Sequence, residues 1–257
     1  MSSPTRDDAR GKTRGGESAA GDGPLSSPRV FSVLELFCGL GGCSEALRQQ
    51  APGRHRITAA VDVNHLALEA YRHNFPDHRA LLRAMEGFSA RDLKEFGADL
   101  WWLSPPCQPF TRRGRRLDDA DPRARPLLHL IDRLAEAGPA YLALENVPGF
   151  ESSRCRQRLL RVLEDGGYAV REALLCPSQL GWPNRRRRYY LLASREGRLP
   201  EIEGPSDPPT PTCSLNTLLA AESTAIRDDE LVVDPRLVHS YRYALHRVRA
   251  DDPAAVT

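Results

Sequence analysis

The apolar run Leu100-Trp101-Trp102-Leu103 is followed at once by Ser104-Pro105-Pro106-Cys107-Gln108-Pro109-Phe110-Thr111. A short apolar run that ends in prolines predicts a buried strand that stops at this point. We therefore expect Cys107 on a stiff turn at the carboxyl end of a strand, the edge at which open α/β sheets bind ligands. A lone cysteine is most often a small buried apolar residue. The three prolines and the arginines that follow favour a reactive thiol instead, because nearby positive charge stabilises a thiolate.

Short apolar segments alternate with amphipathic segments on both sides of this run. Such alternation predicts an α/β fold with a doubly wound, mostly parallel sheet. The predicted strands lie at 33–37, 57–63, 80–82, 100–103, 141–144, 169–175 and 188–193. The predicted helices lie at 44–50, 65–74, 90–96, 127–137 and 156–164.

Composition divides the chain into three parts. Residues 1–28 are rich in Ser, Gly, Pro, Asp and Arg and are predicted to be disordered. Residues 29–197 carry the alternating pattern and are predicted to form one α/β domain. The pattern fails after Gly197, so residues 198–257 are predicted to lie outside that domain. Residues 112–122 are polar and are predicted to be mobile.

Net charge and cysteine content exclude few classes of function. The net charge is +2, so composition alone does not indicate a nucleic-acid-binding protein. The six cysteines show neither Cys-x-x-Cys pairs nor regular spacing, which argues against a zinc site or a disulfide framework and favours the reducing cytoplasm. No apolar stretch approaches the ~20 residues that span a bilayer, and no signal peptide is visible.

A glycine turn follows the first predicted strand and an acidic residue ends the second. In Phe37-Cys38-Gly39-Leu40-Gly41-Gly42 the glycines allow a tight turn and close approach to a ligand. The turn is not a complete Gly-x-Gly-x-x-Gly, so a nicotinamide dinucleotide is the second choice of ligand. Asp62 could bind the hydroxyls of a ribose or could cap the next helix, and its position alone favours neither.

Polar residues also end the fifth predicted strand and precede the last one. Glu145 is either a solvated carboxylate or a buried acid whose pKa is raised, which could then donate a proton. Arg186 and Arg188 alternate on an extended segment and should point to one face. The alternative is a solvated basic loop that binds phosphate without specificity.

Ser-Pro-Pro-Cys-Gln-Pro-Phe-Thr resembles the catalytic motif of the cytosine carbon-5 methyltransferases. Together with Arg112-Arg113-Gly114-Arg115, it is most similar to the tRNA-modifying branch once called DNA methyltransferase homologue two. The Phe37 turn, Glu145-Asn146-Val147 and Asn184-x-Arg186-x-Arg188 also match that family, in family order, over roughly residues 31 to 195.

The resemblance implies a Rossmann-like methyltransferase fold, S-adenosyl-L-methionine as cofactor, and tRNA or DNA as partner. It also implies that residues 29–197 are the catalytic domain and that residues 198–257 are a small, partial recognition region. It implies catalytic roles for four residues, with Cys107 as nucleophile, Glu145 as proton donor to the base, Arg188 on the base carbonyl and Arg186 nearby. It implies cofactor contacts from six residues: Phe37, Gly39 and Gly41 at the methionine part, Asp62 at the ribose, Glu86 at the adenine, and Pro106.

The sequence departs from the family at its end. Neither the last family motif nor the Cys-Phe-Thr signature of the tRNA-type branch is found before Thr257. We therefore expect a truncated product or one piece of a split enzyme that pairs with a C-terminal complementing polypeptide. Two other functions remain open, a non-catalytic nucleic-acid-binding remnant of the family and a nicotinamide oxidoreductase.

Overall fold

The computed structural model describes residues 29–111, 117–182, 184–197 and 199–202. The predictions for 1–28, for 112–116 and for nearly all of the recognition region lie outside the described residues. Within the described part, seven strands form one sheet in the order β3-β2-β1-β4-β5-β7-β6. The strands are β1 (Phe31–Leu36), β2 (His55–Asp62), β3 (Ala80–Leu82), β4 (Leu100–Leu103), β5 (Tyr141–Asn146), β6 (Ala169–Leu175) and β7 (Arg188–Ser194).

Helices cover both faces of this sheet. They are α1 (Gly42–Gln50), α2 (His65–Asn74), α3 (Ala90–Glu95), α4 (Arg125–Ala137) and α5 (Arg154–Asp165). Because successive strand residues face opposite ways, Leu34 joins the apolar core under α3, α4 and α5, whereas Val33 joins the smaller core under α2. The predicted doubly wound, mostly parallel sheet is confirmed.

One strand of the sheet, β7, runs opposite to the other six. The strands from β3 to β5 are all parallel to their neighbours, and β7 is antiparallel to both β5 and β6. β1 lies between β2 and β4, so the chain turns from one side of the sheet to the other at this point. The loops that follow β1 and β4 therefore meet at the carboxyl edge, where ligands bind in such folds.

Every predicted strand and helix overlaps an observed one, and one local prediction is wrong. Phe37 does not continue β1, because its backbone has left the extended region (φ 58°) and already begins the glycine turn. In the polar segment predicted to be mobile, 3₁₀ turns form at Asp118–Ala120 and Pro122–Ala124. Asp118 accepts hydrogen bonds from the first backbone N–H groups of α5, which fixes this segment.

A buried carboxyl group lies beneath the glycine turn. Glu35 is 1% exposed, and burial raises the pKa of this carboxyl although two hydroxyls donate hydrogen bonds to it. These donors are Ser44 from α1, at 2.5 Å, and Tyr71 from α2, at 3.3 Å. Tyr71 also contacts Nδ1 of His78 at 3.0 Å. The network links β1, α1, α2 and the loop before β3, so it joins the two helices that flank the glycine turn.

Gly41 precedes α1 at a point where α2 comes very close. Its φ is +94°, and a Cβ atom built there would lie 2.4 Å from Cε2 of Phe75 and 3.0 Å from Cδ2 of Tyr71. Both a positive φ and the absence of a side chain are therefore required at this position. Gly53 also has a positive φ of +70°, but nothing lies within 4 Å of its added Cβ.

The two glycines give a matched pair of substitutions. We expect Gly53→Ala to lower the free energy of unfolding by about 1–2 kcal/mol, the cost of a left-handed alanine. Gly41→Ala should lower it by about 2–5 kcal/mol, because overpacking against two aromatic rings is added to that cost. Urea denaturation of both variants measures the difference, and equal losses would show that α2 does not constrain the turn.

Candidate active site

An open cleft of about 550 Å³ lies at the carboxyl edge of the sheet, between the loops that follow β1, β2, β4 and β5 and the segment before β7. All four predicted catalytic residues and four of the six predicted cofactor residues meet here, from five separate parts of the chain. The lining residues are Phe37, Gly39, Asp62, Val63, Asn64, Ser104, Pro105, Pro106, Cys107, Gln108, Arg123, Glu145, Asn146, Val147, Arg186 and Arg188.

The loop after β4 holds Cys107 half-buried in this cleft. Its backbone turns at the cysteine, since the Phe110 N–H donates to the Cys107 carbonyl at 3.0 Å. The side chain of Asn146, which is 2% exposed, donates to the Pro105 carbonyl at 3.3 Å and ties the loop to the end of β5. Phe110 anchors the other side by packing edge-to-face on Phe150, with ring centroids 4.9 Å apart. The thiol is therefore presented on a loop that is fixed at both ends.

Glu145 lies beside this loop and forms an ion pair with Arg188, whose Nε is 2.9 Å from Oε1 of the carboxylate. Burial raises the pKa of Glu145, while the positive charges of Arg188 and Arg186 partly oppose the rise. Both members of the pair are largely shielded, with side chains 26% and 16% exposed. The site thus contains a carboxyl group that holds its proton more tightly than a solvated glutamate and that an arginine keeps in one orientation.

The other end of the cleft is formed by the glycine turn and Asp62. The carboxylate of Asp62 accepts the backbone N–H of Gly39 at 2.9 Å and that of Asn64 at 2.8 Å. Asn64 is the residue that caps α2, through Leu66 and Ala67, so Asp62 is not the helix cap. Nothing lies within 4 Å of the position that a Cβ of Gly39 would take, which leaves open space above the turn.

The remaining cofactor predictions separate into two groups. Pro106 lines the cleft next to Cys107, as Phe37, Gly39 and Asp62 do at the other end. Gly41 and Glu86 do not line it. Gly41 faces α2, and Glu86 belongs to the 3₁₀ turn Met85–Gly87, which follows β3 at the outer edge of the sheet. For these two residues the structure gives no direct support for a place in the same cleft.

The sequence interpretation missed Arg123, which also lines the cleft. Its guanidinium forms two hydrogen bonds with Asp121, at 2.9 and 2.7 Å, and Asp121 is 3% exposed. This pairing raises the pKa of Arg123, and the proximity of Cys107 contributes further. A guanidinium fixed in this way adds a permanent positive charge to the wall of the cleft. The signal in the sequence was Asp121-Pro122-Arg123, which predicts a turn that places an aspartate and an arginine together.

The model of the family described as C-5 cytosine-specific DNA methylase matches residues 31–232, well over half of the chain. The chain belongs to this family. The matched residues 31–232 include every strand and helix described above and every residue that lines the cleft.

Individual relatives agree with the family assignment. The tRNA (cytosine(38)-C(5))-methyltransferase of Mus musculus is 45% identical over 163 residues, which are 63% of this chain and 39% of the mouse protein. The DNA (cytosine-5)-methyltransferase of Dictyostelium discoideum is 37% identical over 172 residues, 65% of this chain and 45% of that protein. The crystal structure of S. pombe Dnmt2 methyltransferase superposes with a TM-score of 0.70 at 29% identity, covering 87% of this chain and 69% of that one. The chain thus spans less than half of the length of these two curated relatives.

The ion pair in the cleft predicts how the pKa of Glu145 responds to substitution. Arg188→Met should raise this pKa further, and Arg186→Met should raise it less, because Arg186 acts only through its charge. Arg187→Met is the matched control, since Arg187 is exposed and does not contribute to the shift. Titration of the glutamate carboxyl groups by ¹³C NMR measures all three variants, and an unchanged pKa in Arg188→Met would contradict the electrostatic account.

The same substitution changes the pH dependence of stability. A carboxyl whose pKa is higher in the folded than in the unfolded protein contributes stability below the unfolded pKa, about 4.3, and loses it as the pH rises through the folded pKa. In Arg188→Met we expect this loss to be larger and to extend to higher pH than in the wild type.

Proposed function

We propose that this chain is an S-adenosylmethionine-dependent cytosine carbon-5 methyltransferase of nucleic acid, with tRNA as the preferred substrate. The single observation that supports this most strongly is the convergence of Cys107, Glu145 and Arg188 in one cleft with the Phe37 turn and Asp62. Residues 29–197 form the catalytic domain in this proposal and residues 198–257 a partial target-recognition region.

The arrangement suits a nucleophilic addition to cytosine. The ring carbons of cytosine are poor partners for direct methylation, and covalent addition divides the reaction into easier steps. The Cys107 thiolate forms a bond to carbon 6, and the electron pair of the carbon 5–carbon 6 double bond moves towards carbon 5. Glu145 donates a proton to ring nitrogen 3, which its raised pKa favours. Arg188 holds Glu145 in place and contacts the base carbonyl, with Arg186 nearby.

The other end of the cleft fits the methyl donor. The glycine turn offers unobstructed space above Gly39, and the Asp62 carboxylate stands at the end of β2, where such folds bind ribose hydroxyls. When bound, S-adenosylmethionine would supply an electrophilic methyl group to carbon 5 and leave as S-adenosylhomocysteine. A base then removes the carbon-5 proton, the electron pair re-forms the ring double bond and the Cys107 thiolate is expelled, while ring nitrogen 3 returns its proton to Glu145. In this proposal Phe37, Gly39, Asp62 and Pro106 contact the donor. The roles of Gly41 and Glu86 remain predictions from resemblance.

A base in a duplex stack is out of reach of Cys107, so it must be flipped out or presented in a loop. Six relatives that share 40–45% identity with this chain are tRNA methyltransferases by name, whereas the Dictyostelium protein at 37% is named for DNA. Flipping costs a few kcal/mol, and an unpaired loop cytosine avoids that cost. These two considerations favour tRNA.

Four other predictions from the sequence bear on this proposal, and two of them are alternative functions. The alternative of a non-catalytic nucleic-acid-binding remnant has the same cleft and differs only in lacking turnover. Family membership leaves a nicotinamide oxidoreductase without support. The C-terminal complementing polypeptide and the cytoplasmic location stay predictions. In the described part of the chain no helix is long and apolar enough to cross a membrane.

Covalent trapping tests the chemistry. With S-adenosylmethionine, the chain should form a stable adduct with RNA or DNA that contains 5-fluorocytosine, because fluorine on carbon 5 cannot leave as a proton and the thiol cannot be released. The adduct should depend on added S-adenosylmethionine and should be absent in Cys107→Ala. Gel shift under denaturing conditions and mass spectrometry of the linked peptide measure it.

Cys176→Ala provides the matched control for this experiment. Burial pushes the pKa of Cys176 upwards, but hydrogen bonds from Ser178 outweigh it and leave the pKa lowered, so this thiol is the obvious rival nucleophile. The Cys176→Ala variant should keep the adduct. An adduct that persists in Cys107→Ala and vanishes in Cys176→Ala would show that the nucleophile is Cys176 and that our assignment of Cys107 is wrong.

Substrate preference is tested by parallel labelling. We expect transfer of tritiated methyl groups to total tRNA to exceed transfer to genomic DNA from the same cells, since a loop cytosine needs no extrusion from a duplex. The assay is run with this chain alone and with a supplied C-terminal half of a relative. Equal or greater labelling of DNA would overturn the tRNA preference and leave the roles of Cys107 and Glu145 untouched.

A further inference from the structure

An exposed tryptophan lies just before the arginine segment of the active site. Trp182 is 49% exposed, whereas Trp101 is buried and Trp102 is half-buried and donates to Ser104. Within the described residues no ring–ring or cation–π contact involves Trp182. A large aromatic side chain that is left in water without a partner ring is a candidate contact surface.

The backbone holds Trp182 in a defined position. The 3₁₀ turn Pro177–Leu180 ends at Gly181, whose φ of +82° reverses the chain. The N–H of Trp182 donates back to the Pro177 carbonyl at 3.1 Å, and its own carbonyl accepts the N–H of Asn184 at 2.8 Å. The side chain of Gln179 closes the start of the turn by accepting the N–H of Cys176 at 2.7 Å. The indole is therefore attached to a hydrogen-bonded turn, so little entropy is lost when a flat ligand stacks on it.

The surroundings of Trp182 are strongly basic and adjoin the cleft. Arg185, Arg186 and Arg187 are exposed, and Arg186 and Arg188 line the cleft that contains Cys107. Trp182 and Arg186 are four positions apart in the chain, so their Cα atoms are at most about 14 Å apart. A span of that length corresponds to at most about four stacked nucleotides at ~3.4 Å each. An aromatic face beside a basic segment is the arrangement with which proteins bind single-stranded nucleic acid.

We propose that Trp182 stacks on an unpaired nucleobase that flanks the target cytosine, while the exposed arginines contact the backbone phosphates. This inference rests on the proposed function, which supplies the nucleic-acid substrate, and it adds a residue that selects single-stranded loops. Bases within a duplex already stack on one another and offer no free face, so the contact favours loop RNA over duplex DNA.

Binding of a defined RNA hairpin tests the proposal. The probe is a short hairpin with one cytosine in its loop, and its partner is the same hairpin with abasic sites beside that cytosine. Trp182→Ala should weaken binding of the intact hairpin by about 5- to 150-fold, the loss of one stacked base, and Trp182→Phe should retain most of the affinity. Neither substitution should weaken binding of the abasic hairpin more than about twofold. Leu180→Ala is the matched control, because Leu180 is 50% exposed on the same turn but has no ring.

Two further measurements distinguish a loss of base stacking from a loss of charge or of the folded structure as the cause of weaker binding. The intact hairpin should quench the tryptophan emission of the wild type, and the quenching should disappear in Trp182→Phe, which retains Trp101 and Trp102. The slope of log affinity against log salt should be unchanged in Trp182→Ala, because stacking releases no counterions, whereas Arg185→Gln should make it shallower. Wild-type affinity in Trp182→Ala, or an equal loss for both hairpins, would overturn the proposal.

The stacking contact and the proposed methyltransferase activity can be rejected independently of each other by the binding assay and the methylation assay. Quenching that depends on Trp182 without any methyl labelling would support the stacking contact and reject the proposed activity. Labelling of tRNA that is unaffected by Trp182→Ala, together with unchanged hairpin affinity, would reject the stacking contact and leave the proposed activity intact.

Discussion

The antiparallel pairing of β7 with β5 is the constraint on which the candidate active site depends. Tyr190 pairs with Glu145 and Tyr189 with Asn146, so β7 begins where β5 ends. Its first residue, Arg188, consequently stands at the carboxyl edge of the sheet beside Glu145. A parallel β7 would begin at the opposite edge, a strand length away from Cys107. In an all-parallel sheet the carboxyl edge receives only the loops that follow the strands. The single antiparallel strand β7 adds to this edge the basic segment that precedes it.

The position of Glu145 beside Arg188 also has an energetic cost, the partial loss of hydration of the carboxylate, and this cost raises the pKa of Glu145. A carboxylate removed from water is destabilised, and the charge of Arg188 at 2.9 Å offsets only part of that penalty, since the net shift of the Glu145 pKa is upward. A fully compensated pair would leave Glu145 a permanent anion. The incomplete compensation leaves a group that can hold a proton nearer to neutral pH and give it to a base, as general acid catalysis requires.

Much of this architecture follows from local patterns in the sequence. The apolar run at 100–103 coincides with β4, because a short apolar segment that ends in prolines has few alternatives to a strand, and the strand predicted at 169–175 coincides with β6. The direction of β7 could not be derived in this way, since an isolated strand pattern contains no information about its partner. The burial of Glu35, a charged residue within the first strand, does not follow from the local pattern, because its partners Ser44 and Tyr71 come from helices that only tertiary packing brings together. Arg123 was missed for the same reason, since its relation to Cys107 is not visible in a linear motif.

The backbone at the cleft is strained where the ligands are expected to bind. Phe37, a residue with a side chain, has a φ of 58°, and Gly39 follows with a φ of 52°. A left-handed phenylalanine costs about 1–2 kcal/mol and persists only where its surroundings impose it. Here the N–H of Cys38 donates to the carbonyl of Val61 at 3.0 Å, and the Asp62 carboxylate holds the N–H of Gly39. The end of β2 therefore fixes the turn after β1, and any ligand bound between them meets a surface that is already shaped. A substitution at Asp62 would consequently loosen the turn after β1, in addition to removing the ribose contact that we propose for this carboxylate.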